Sequence, residues 1–186
     1  MTNANSPAPV ALELVNPQGE TIGQAEKLSA HTQPGTLHRA FSVFLFTPDG
    51  RMLLQRRALT KYHSAGVWSN TCCGHPYPGE DPAAAATRRT REELGLAPDG
   101  LRPAGTVVYR HPDEASGLVE HEYNHLFVGT TYRQPRPDPA EVHETAFVDA
   151  AELSALRQRA PFSAWFPTVL AAALPEIRRT APAGGW

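Results

Sequence analysis

Short stretches of alternating hydrophobic and polar residues recur along the chain, separated by turns that contain Pro and Gly. Such alternation is typical of β-strands that bury one face. It predicts strands over residues 10–15, 20–25, 39–47, 51–57, 101–110, 118–131 and 144–148. Turn residues at 16–19 and 48–50 join the first four strands into two hairpins. A further stretch, 67–73, leads into the turn that precedes the first long helix.

Three other segments are predicted to be helical: residues 82–94, 150–158 and 161–173. In the first, Asp81 suits the N-cap, Pro82 the first helical position and Gly95 the C-terminal stop. Its small residues fall within one stripe of about 100°, which lets this helix pack closely on a sheet. Strands with helices placed irregularly between them predict an α+β fold, an α/β/α sandwich around a mixed β-sheet.

The length of 186 residues indicates one domain with a sizeable core. We expect residues 1–8, which are polar and contain Pro, to be disordered, residues 9–175 to form the domain, and residues 176–186 to form a weakly ordered tail. The chain shows no internal repeat, and the Pro-rich segment 135–139 is a loop rather than a linker between domains.

The net charge of −2 gives no bulk electrostatic reason for binding nucleic acid or a membrane surface. No secretory signal and no apolar stretch of membrane-spanning length is visible in the sequence. The two adjacent cysteines, Cys72 and Cys73, cannot build an ordinary disulfide framework. We therefore expect a cytoplasmic protein, a monomer or weak dimer, whose thiols are reduced and available for chemistry.

Candidate chemistry begins where Cys73 and His75, separated by one glycine, open the turn before the first long helix. On that helix, Glu93 lies beside Arg89 at the edge of the buried stripe, and Glu92 points to solvent. The helix alone is equally compatible with an ordinary salt-bridged surface, because these charges are spaced as i,i+4 pairs. The Cys-Gly-His entrance favours a functional site.

A second candidate set is centred on the strand 118–131, where Glu120, Glu122 and Asn124 share one face. Two neighbouring carboxylates repel each other if they are buried, so a positive group is expected beside them. Three histidines, His31, His38 and His75, complete a donor set that suits Mn²⁺, Mg²⁺ or Zn²⁺. By spacing alone the signal is modest, since a histidine in a loop is usually just solvated.

The spacing of Gly74, Glu80, Arg88 and the Glu-Glu-Leu-Gly-Leu segment 92–96 resembles the Nudix box, a loop–helix signature that binds divalent metal and diphosphate. One position departs from the box: Arg89 stands where Nudix hydrolases carry a metal-binding Glu. The type 1 isopentenyl-diphosphate isomerases are a Nudix branch that carries Cys-Gly-His and lacks this Glu. The chain is similar to that branch from about residue 12 to about residue 169.

This resemblance implies a Nudix-type sandwich and an octahedral His₃Glu₂ metal site formed by His31, His38, His75, Glu120 and Glu122. It places Mn²⁺, or Mg²⁺ or Zn²⁺, in that site. It also implies one Mg²⁺ held by Glu93, the carbonyl of Cys73 and the phosphates of the substrate. Tyr109 is expected to donate a hydrogen bond to Glu122, and Cys72 is expected to be structural.

The resemblance further implies a small allylic or homoallylic diphosphate as substrate, bound by Lys27, Arg57, Lys61 and Arg89, with Trp165 at its hydrocarbon end. Trp68 is more simply a core residue. The implied reaction interconverts isopentenyl and dimethylallyl diphosphate, with Cys73 and Glu122 exchanging protons on opposite faces of the alkene. Two alternatives remain open: a Nudix pyrophosphatase acting on a nucleoside diphosphate derivative, and a non-catalytic module that binds metal or diphosphate.

Overall fold

The computed structural model describes residues 10–61, 63–114 and 116–186, so the expectation for residues 1–8 lies outside the described residues. The strands are β1 (Ala11–Val15), β2 (Thr21–Glu26), β3 (His38–Phe46), β4 (Met52–Arg57), β5 (Trp68–Ser69), β6 (Cys72–Gly74), β7 (Asp99–Asp113), β8 (Leu118–Thr130) and β9 (Val142–Val148). The helices are α1 (Lys27–His31), α2 (Pro82–Leu94), α3 (Ala150–Arg159) and α4 (Phe166–Thr180), followed by a 3₁₀ turn at Pro182–Gly184.

The strands form one mixed sheet organised around β3. β3 runs parallel to β8 and antiparallel to β1, β4 and β6. β2 extends the sheet beyond β1, β7 lies outside β8, and β5 and β9 pair with β4. A strand buried on both faces reads as a continuous hydrophobic run rather than as an alternation, and the segment Ala-Phe-Ser-Val-Phe-Leu-Phe at 40–46 has this character.

Helices cover both faces of the sheet and enclose two hydrophobic clusters. On one face, the small residues of α2, including Ala85 and Ala86, pack against Val43 and Leu45 of β3. On the other face, α3 and α4 pack against Phe44 and neighbouring side chains of β4 and β8. Consecutive residues of β3 therefore feed opposite layers. The predicted α+β sandwich around a mixed sheet is confirmed.

Two features of the secondary structure differ from the sequence prediction. The first is α1, for which the sequence analysis predicted no element. This helix has five residues and is too short to show a helical hydrophobic period. The carboxylate of Glu26 caps this helix by accepting hydrogen bonds from the backbone N–H groups of Leu28 and Ser29, at 3.1 and 3.0 Å. The cap explains why the chain turns into a helix directly after β2, and the helix ends at His31.

The second difference concerns the C-terminal segment, where the predicted helix over 161–173 has the wrong bounds. α4 begins at Phe166 and continues through Pro175 to Thr180, so the expected weakly ordered tail from 176 is in part helical. A proline inside a helix removes a backbone hydrogen bond. Packing compensates for this loss, because Ala173 and Ile177 are both fully buried in the core. Among the described residues, no helix has the length and hydrophobicity needed to span a membrane.

Candidate active site

The register of the sheet brings the predicted metal-site residues together at one end of β3 and β8. In the parallel pair, His38 lies opposite Glu122, and in the neighbouring antiparallel pair Tyr109 lies opposite the same glutamate. A bridge between Thr32 and Leu118 ties the end of α1 to the start of β8, which brings His31 close to Glu120. β6 pairs with β3 up to Gly74, so His75 emerges at the same end of the sheet.

Three imidazoles and two carboxylates form a compact cluster there, made of His31, His38, His75, Glu120 and Glu122. One potential ligand atom from each residue lies within 4.8 Å of the corresponding atom of every other. The Nε2 atom of His31 is 3.1 Å from a carboxylate oxygen of Glu120, and Nε2 of His75 is 3.1 Å from one of Glu122. The cluster has the size and the donor types of a site for a divalent metal ion.

The hydrogen bonds outside the cluster fix how two of the histidines present their lone pairs. Nδ1 of His31 lies 2.7 Å from the carbonyl oxygen of Lys27, and Nδ1 of His38 lies 2.8 Å from that of Thr36. A carbonyl only accepts, so Nδ1 carries the proton in both rings, and in the neutral ring Nε2 offers a lone pair to the cluster. Nε2 of His38 then lies only 3.2 Å from Nε2 of His75. Lone pairs and carboxylates that converge in this way fit a bound cation.

Three of the resolved pKa shifts also suit a metal. The exception is His31, where burial lowers the pKa but the hydrogen bond with Glu120 and its charge outweigh burial and raise it. Burial, reinforced by the nearby charges of His75 and His31, lowers the pKa of His38 well below its ordinary value. Burial lowers the pKa of His75 as well, although the hydrogen bond to Glu122 acts in the opposite direction. Burial by itself raises the pKa of Glu120, but hydrogen bonds from His31 and His63 outweigh it and the net shift is strongly downward. Neutral imidazoles and an ionised carboxylate are the forms that bind metal.

The second oxygen of Glu122 is held from behind by two donors. The Tyr109 hydroxyl donates to Oε2, and Nδ2 of Asn124 donates to the same oxygen at 2.9 Å and lies 3.0 Å from the tyrosine oxygen. Burial and the charge of Glu122 raise the pKa of Tyr109 well above its ordinary value, so the hydroxyl keeps its proton. Glu122 is thus fixed with Oε1 toward the histidines and Oε2 toward these donors. No pattern in the sequence singled out Asn124 as a partner of Tyr109.

One cavity of about 300 Å³ opens next to the cluster, near the lower limit for small-molecule sites. Cys73 and Glu122 both line it. Its wall also includes the candidate substrate-binding side chains Lys27, Arg57, Lys61, Arg89 and Trp165, together with Glu93. His38 and Tyr109 are buried and are not among the side chains that line this cavity. A cavity lined by four cationic side chains and an indole fits a ligand that has an anionic end and an apolar end.

The thiol of Cys73 is protonated at neutral pH in this environment. Burial raises its pKa to about 12, and the charges of Glu93 and Glu122 act in the same direction. The positive charge of Arg57 and a hydrogen bond with Ser69 oppose this shift without cancelling it. Cys72 is fully buried on the α2 side of the sheet, 3.6 Å from a carboxylate oxygen of Glu93. Of the two cysteines, only Cys73 is among the residues that line the cavity.

This pKa predicts slow modification of Cys73 by iodoacetamide, because the thiolate is the reactive form. At pH 7.5 we expect a rate far below that of an exposed cysteine, whose pKa is about 8.5. Between pH 7 and 10 the rate should rise about tenfold per pH unit, since the thiolate fraction does so below the pKa. Mass spectrometry of the Cys73 peptide measures the rate, with circular dichroism to show that the fold persists. A rate that levels off below pH 9 would contradict the prediction.

Arg89, the residue that stands in place of the Glu of the Nudix box, forms ion pairs with two carboxylates of α2. Its guanidinium is 2.6 Å from both Glu92 and Glu93 and 3.4 Å from Glu141. Nε2 of Gln55 donates to the other oxygen of Glu93 at 3.0 Å, and Lys61 pairs with Glu141. The helix therefore has both the surface ion pairs and a glutamate that faces the cavity. A cation occupies the position from which a Nudix hydrolase would supply a metal-binding carboxylate.

The turn between β6 and α2 is held by the other charged residues of the box. Arg88 forms two hydrogen bonds of 2.8 Å with the carboxylate of Glu80, and its guanidinium lies 4.1 Å from the centre of the Tyr77 ring. The predicted cap is present, since Asp81 accepts from the first N–H groups of α2 and Gly95 ends it in the left-handed conformation. These contacts fix the turn that carries His75 into the site.

Comparison with known proteins agrees with this geometry. Residues 36–167 match the NUDIX domain family. A protein from Streptomyces griseus named isopentenyl-diphosphate Delta-isomerase is 69% identical over 178 residues, which cover 95% of this chain and 90% of that protein. The chain belongs to the isopentenyl-diphosphate Delta-isomerase family. A second member of this isomerase family, from Streptomyces avermitilis, is 64% identical over 178 residues, 95% of this chain and 90% of the relative.

Solved structures support the Nudix fold of this isomerase. The crystal structure of a protein from Deinococcus radiodurans superposes with a TM-score of 0.69 at 19% sequence identity, covering 91% of this chain and 98% of that one. At this identity the likeness shows the fold alone. The specific link to the isomerases comes from the sequence relatives.

Proposed function

We propose that this enzyme interconverts isopentenyl diphosphate and dimethylallyl diphosphate, with Cys73 and Glu122 as the two proton-transfer groups. The observation that supports this most directly is that a protonated thiol and a glutamate side chain line one small cavity, which four cationic side chains also line. The relatives from Streptomyces carry the name of this activity over nearly the same length of chain.

The reaction needs two proton transfers and no redox partner. A proton is added to the terminal methylene carbon C4 of isopentenyl diphosphate, and the electron pair of the C3–C4 double bond forms the new C–H bond. Positive charge develops at C3 until a proton leaves C2, and the C2–H electron pair becomes the C2–C3 double bond. One group at the site gives a proton and the other takes one, so atoms and charge balance. Positioned acid–base groups of this kind contribute about 10²–10⁴-fold in rate.

The other side chains of the cavity hold the two ends of the substrate. Lys27, Arg57, Lys61 and Arg89 bind the diphosphate, because four cations that line the same cavity match its negative charge. Trp165 covers the hydrocarbon end, where the face of the indole stabilises the developing cation by about 1–2 kcal/mol and excludes water that would trap it. Arg57 already lies over the Trp165 ring, 5.6 Å from its centre, so the two ends of the site meet at this pair.

Two divalent ions complete the proposal. His31, His38, His75, Glu120 and Glu122 would hold Mn²⁺, or Mg²⁺ or Zn²⁺, and Glu93 with the carbonyl of Cys73 would hold Mg²⁺ together with the phosphates. Bound there, the ions supply positive charge that tunes the basicity of Glu122 and neutralises the diphosphate. The protein's own part is to orient Glu122 through Tyr109 and Asn124 and to hold a proton on the Cys73 sulfur.

We also propose that the enzyme works in the cytoplasm as a monomer or weak dimer, without nucleic acid or membrane as partner. The small net charge and the two adjacent cysteines support this setting.

Proton NMR of isopentenyl diphosphate with the enzyme in D₂O tests the function. We expect the dimethylallyl diphosphate to carry deuterium in a methyl group, because C4 receives a solvent-derived proton. The recovered isopentenyl diphosphate should gain deuterium at C2, because the reverse reaction adds a solvent-derived proton there. A chelator should stop the exchange, and Mn²⁺ or Mg²⁺ should restore it. Phosphate release from a panel of nucleotides without any allylic product would instead favour the pyrophosphatase. Full turnover in metal-free protein would overturn the metal assignment.

A further inference from the structure

His63, a buried histidine that the sequence prediction did not single out, contacts the metal cluster from outside. Its side chain is 6% exposed. Nε2 lies 2.8 Å from Oε1 of Glu120, and Nδ1 lies 2.9 Å from a carboxylate oxygen of Asp113 and 3.2 Å from the hydroxyl of Ser116. A carboxylate only accepts, so Nε2 of His63 is placed to donate to Glu120, and the other ring nitrogen faces Asp113.

The contact divides the two oxygens of Glu120 between different partners. Oε2 faces His31 inside the cluster at 3.1 Å, and Oε1 is held by His63. Glu122 shows the same division, with one oxygen toward His75 and the other toward Tyr109. Groups that hold the outer atom of a metal ligand fix its orientation, and losing them typically costs 10–100-fold in metal affinity.

His63 also packs against the hydrocarbon end of the site. Its ring is stacked on Trp165, with 5.9 Å between the ring centres and 19° between the planes. Both rings line the site cavity and a neighbouring cavity of about 490 Å³, so the stacked pair forms a wall shared by the two. One imidazole thereby connects a carboxylate of the metal cluster with the indole over the substrate.

We infer that His63 is a positioning residue: anchored by Asp113, it holds Glu120 in its ligand orientation and at the same time holds the indole of Trp165 in place. This inference rests on the proposed metal site. It differs from the sites implied by the family resemblance, because His63 is neither one of the five candidate metal ligands nor one of the four cations proposed to bind the diphosphate. Its two contacts use different parts of the ring, the nitrogens for Glu120 and the flat face for Trp165, so substitutions can separate them.

Two variants test the inference in the metal-free full-length protein. His63→Phe keeps a ring to stack on Trp165 but removes the ring nitrogens, and His63→Gln keeps an N–H donor toward Glu120 but removes the ring. Isothermal titration with Mn²⁺ measures the affinity of the cluster. The fluorescence emission of Trp165 is obtained for each variant by subtracting the spectrum of the same variant that also carries Trp165→Phe. His143→Ala, at an exposed histidine, is the matched control.

We expect His63→Phe to weaken Mn²⁺ binding by about 10–100-fold with little change in Trp165 emission. His63→Gln should change the emission while keeping an affinity within about threefold of wild type, because its amide retains the donor. If His63 were merely structural, both variants would move both measurements together. Wild-type affinity in a folded His63→Phe protein would overturn the inference.

If His63→Phe does not fold, His63→Ala compared with His63→Gln decides in the same way, because only glutamine offers a donor to Glu120. Equal Mn²⁺ affinities for these two variants would overturn the inference. Failure of the wild-type protein itself to bind Mn²⁺ would remove the proposed metal site and the role of His63 with it. The result therefore distinguishes an error about His63 from an error about the cluster.

Discussion

Cys73→Ser is expected to lower kcat for isomerisation by about 10²–10⁴-fold, the contribution of a positioned acid–base group. The serine hydroxyl fits the same space, but it gives up its proton much less readily than a thiol does. Substrate binding should change little, since the four cationic side chains that line the cavity are untouched. Steady-state kinetics with isopentenyl diphosphate measures the effect, and circular dichroism shows whether the fold is retained.

The adjacent cysteine provides a matched control for this variant. Cys72 is buried on the α2 side of β6 and is not among the residues that line the cavity, so Cys72→Ser should retain kcat within about tenfold of wild type. Near wild-type turnover in purified, folded Cys73→Ser would refute the role of the thiol. Equal losses in both variants would point to damage of the strand rather than to chemistry.

Glu122→Gln is expected to lower kcat by a similar factor, about 10²–10⁴, for two combined reasons. The amide cannot take up a proton at this position, and the cluster loses one of its two negative charges. Deuterium incorporation from D₂O into the substrate should fall together with turnover, and Mn²⁺ affinity should fall as well. Kinetics, NMR and calorimetry on the same preparation measure the three quantities.

Tyr109→Phe provides a graded comparison for Glu122→Gln. It removes one of the two donors to Oε2 of Glu122 and leaves Asn124 in place. We therefore expect kcat to fall by about 10–100-fold. If Glu122→Gln bound Mn²⁺ normally and still exchanged deuterium into the substrate, Glu122 would be neither ligand nor proton carrier. A Tyr109→Phe protein more impaired than Glu122→Gln would mean that the tyrosine itself takes part in proton transfer.

Local patterns in the sequence predicted those parts of the site that follow from regular geometry. Glu120 and Glu122 share a face because alternate residues of a strand do, and β8 is a regular strand through both positions. The cap at Asp81 and the stop at Gly95 are local rules that hold wherever the helix packs. The placing of three separate histidines beside this strand came from the family resemblance instead.

Contacts that depend on how distant segments meet were not predictable in this way. His63 lies in the loop between β4 and β5, and its pairing with Asp113 is set by tertiary packing that no short window of sequence reports. Asn124 was placed on the correct face of its strand, but its hydrogen bond to Tyr109 depends on the register of β7 on β8. The boundary of α4 failed for a related reason, since burial of Ile177 outweighs the local cost of Pro175.

The parallel pairing of β3 with β8 has a consequence for how this protein can diverge. His38 and Glu122 are neighbours through backbone hydrogen bonds, so their separation is inherited from the ladder rather than from side-chain fit. Inserting or deleting a single residue within either strand would turn every following side chain to the reverse side and scatter the ligand atoms. We therefore expect insertions and deletions to be tolerated in the connecting loops, and changes within the two strands to be exchanges of side chain.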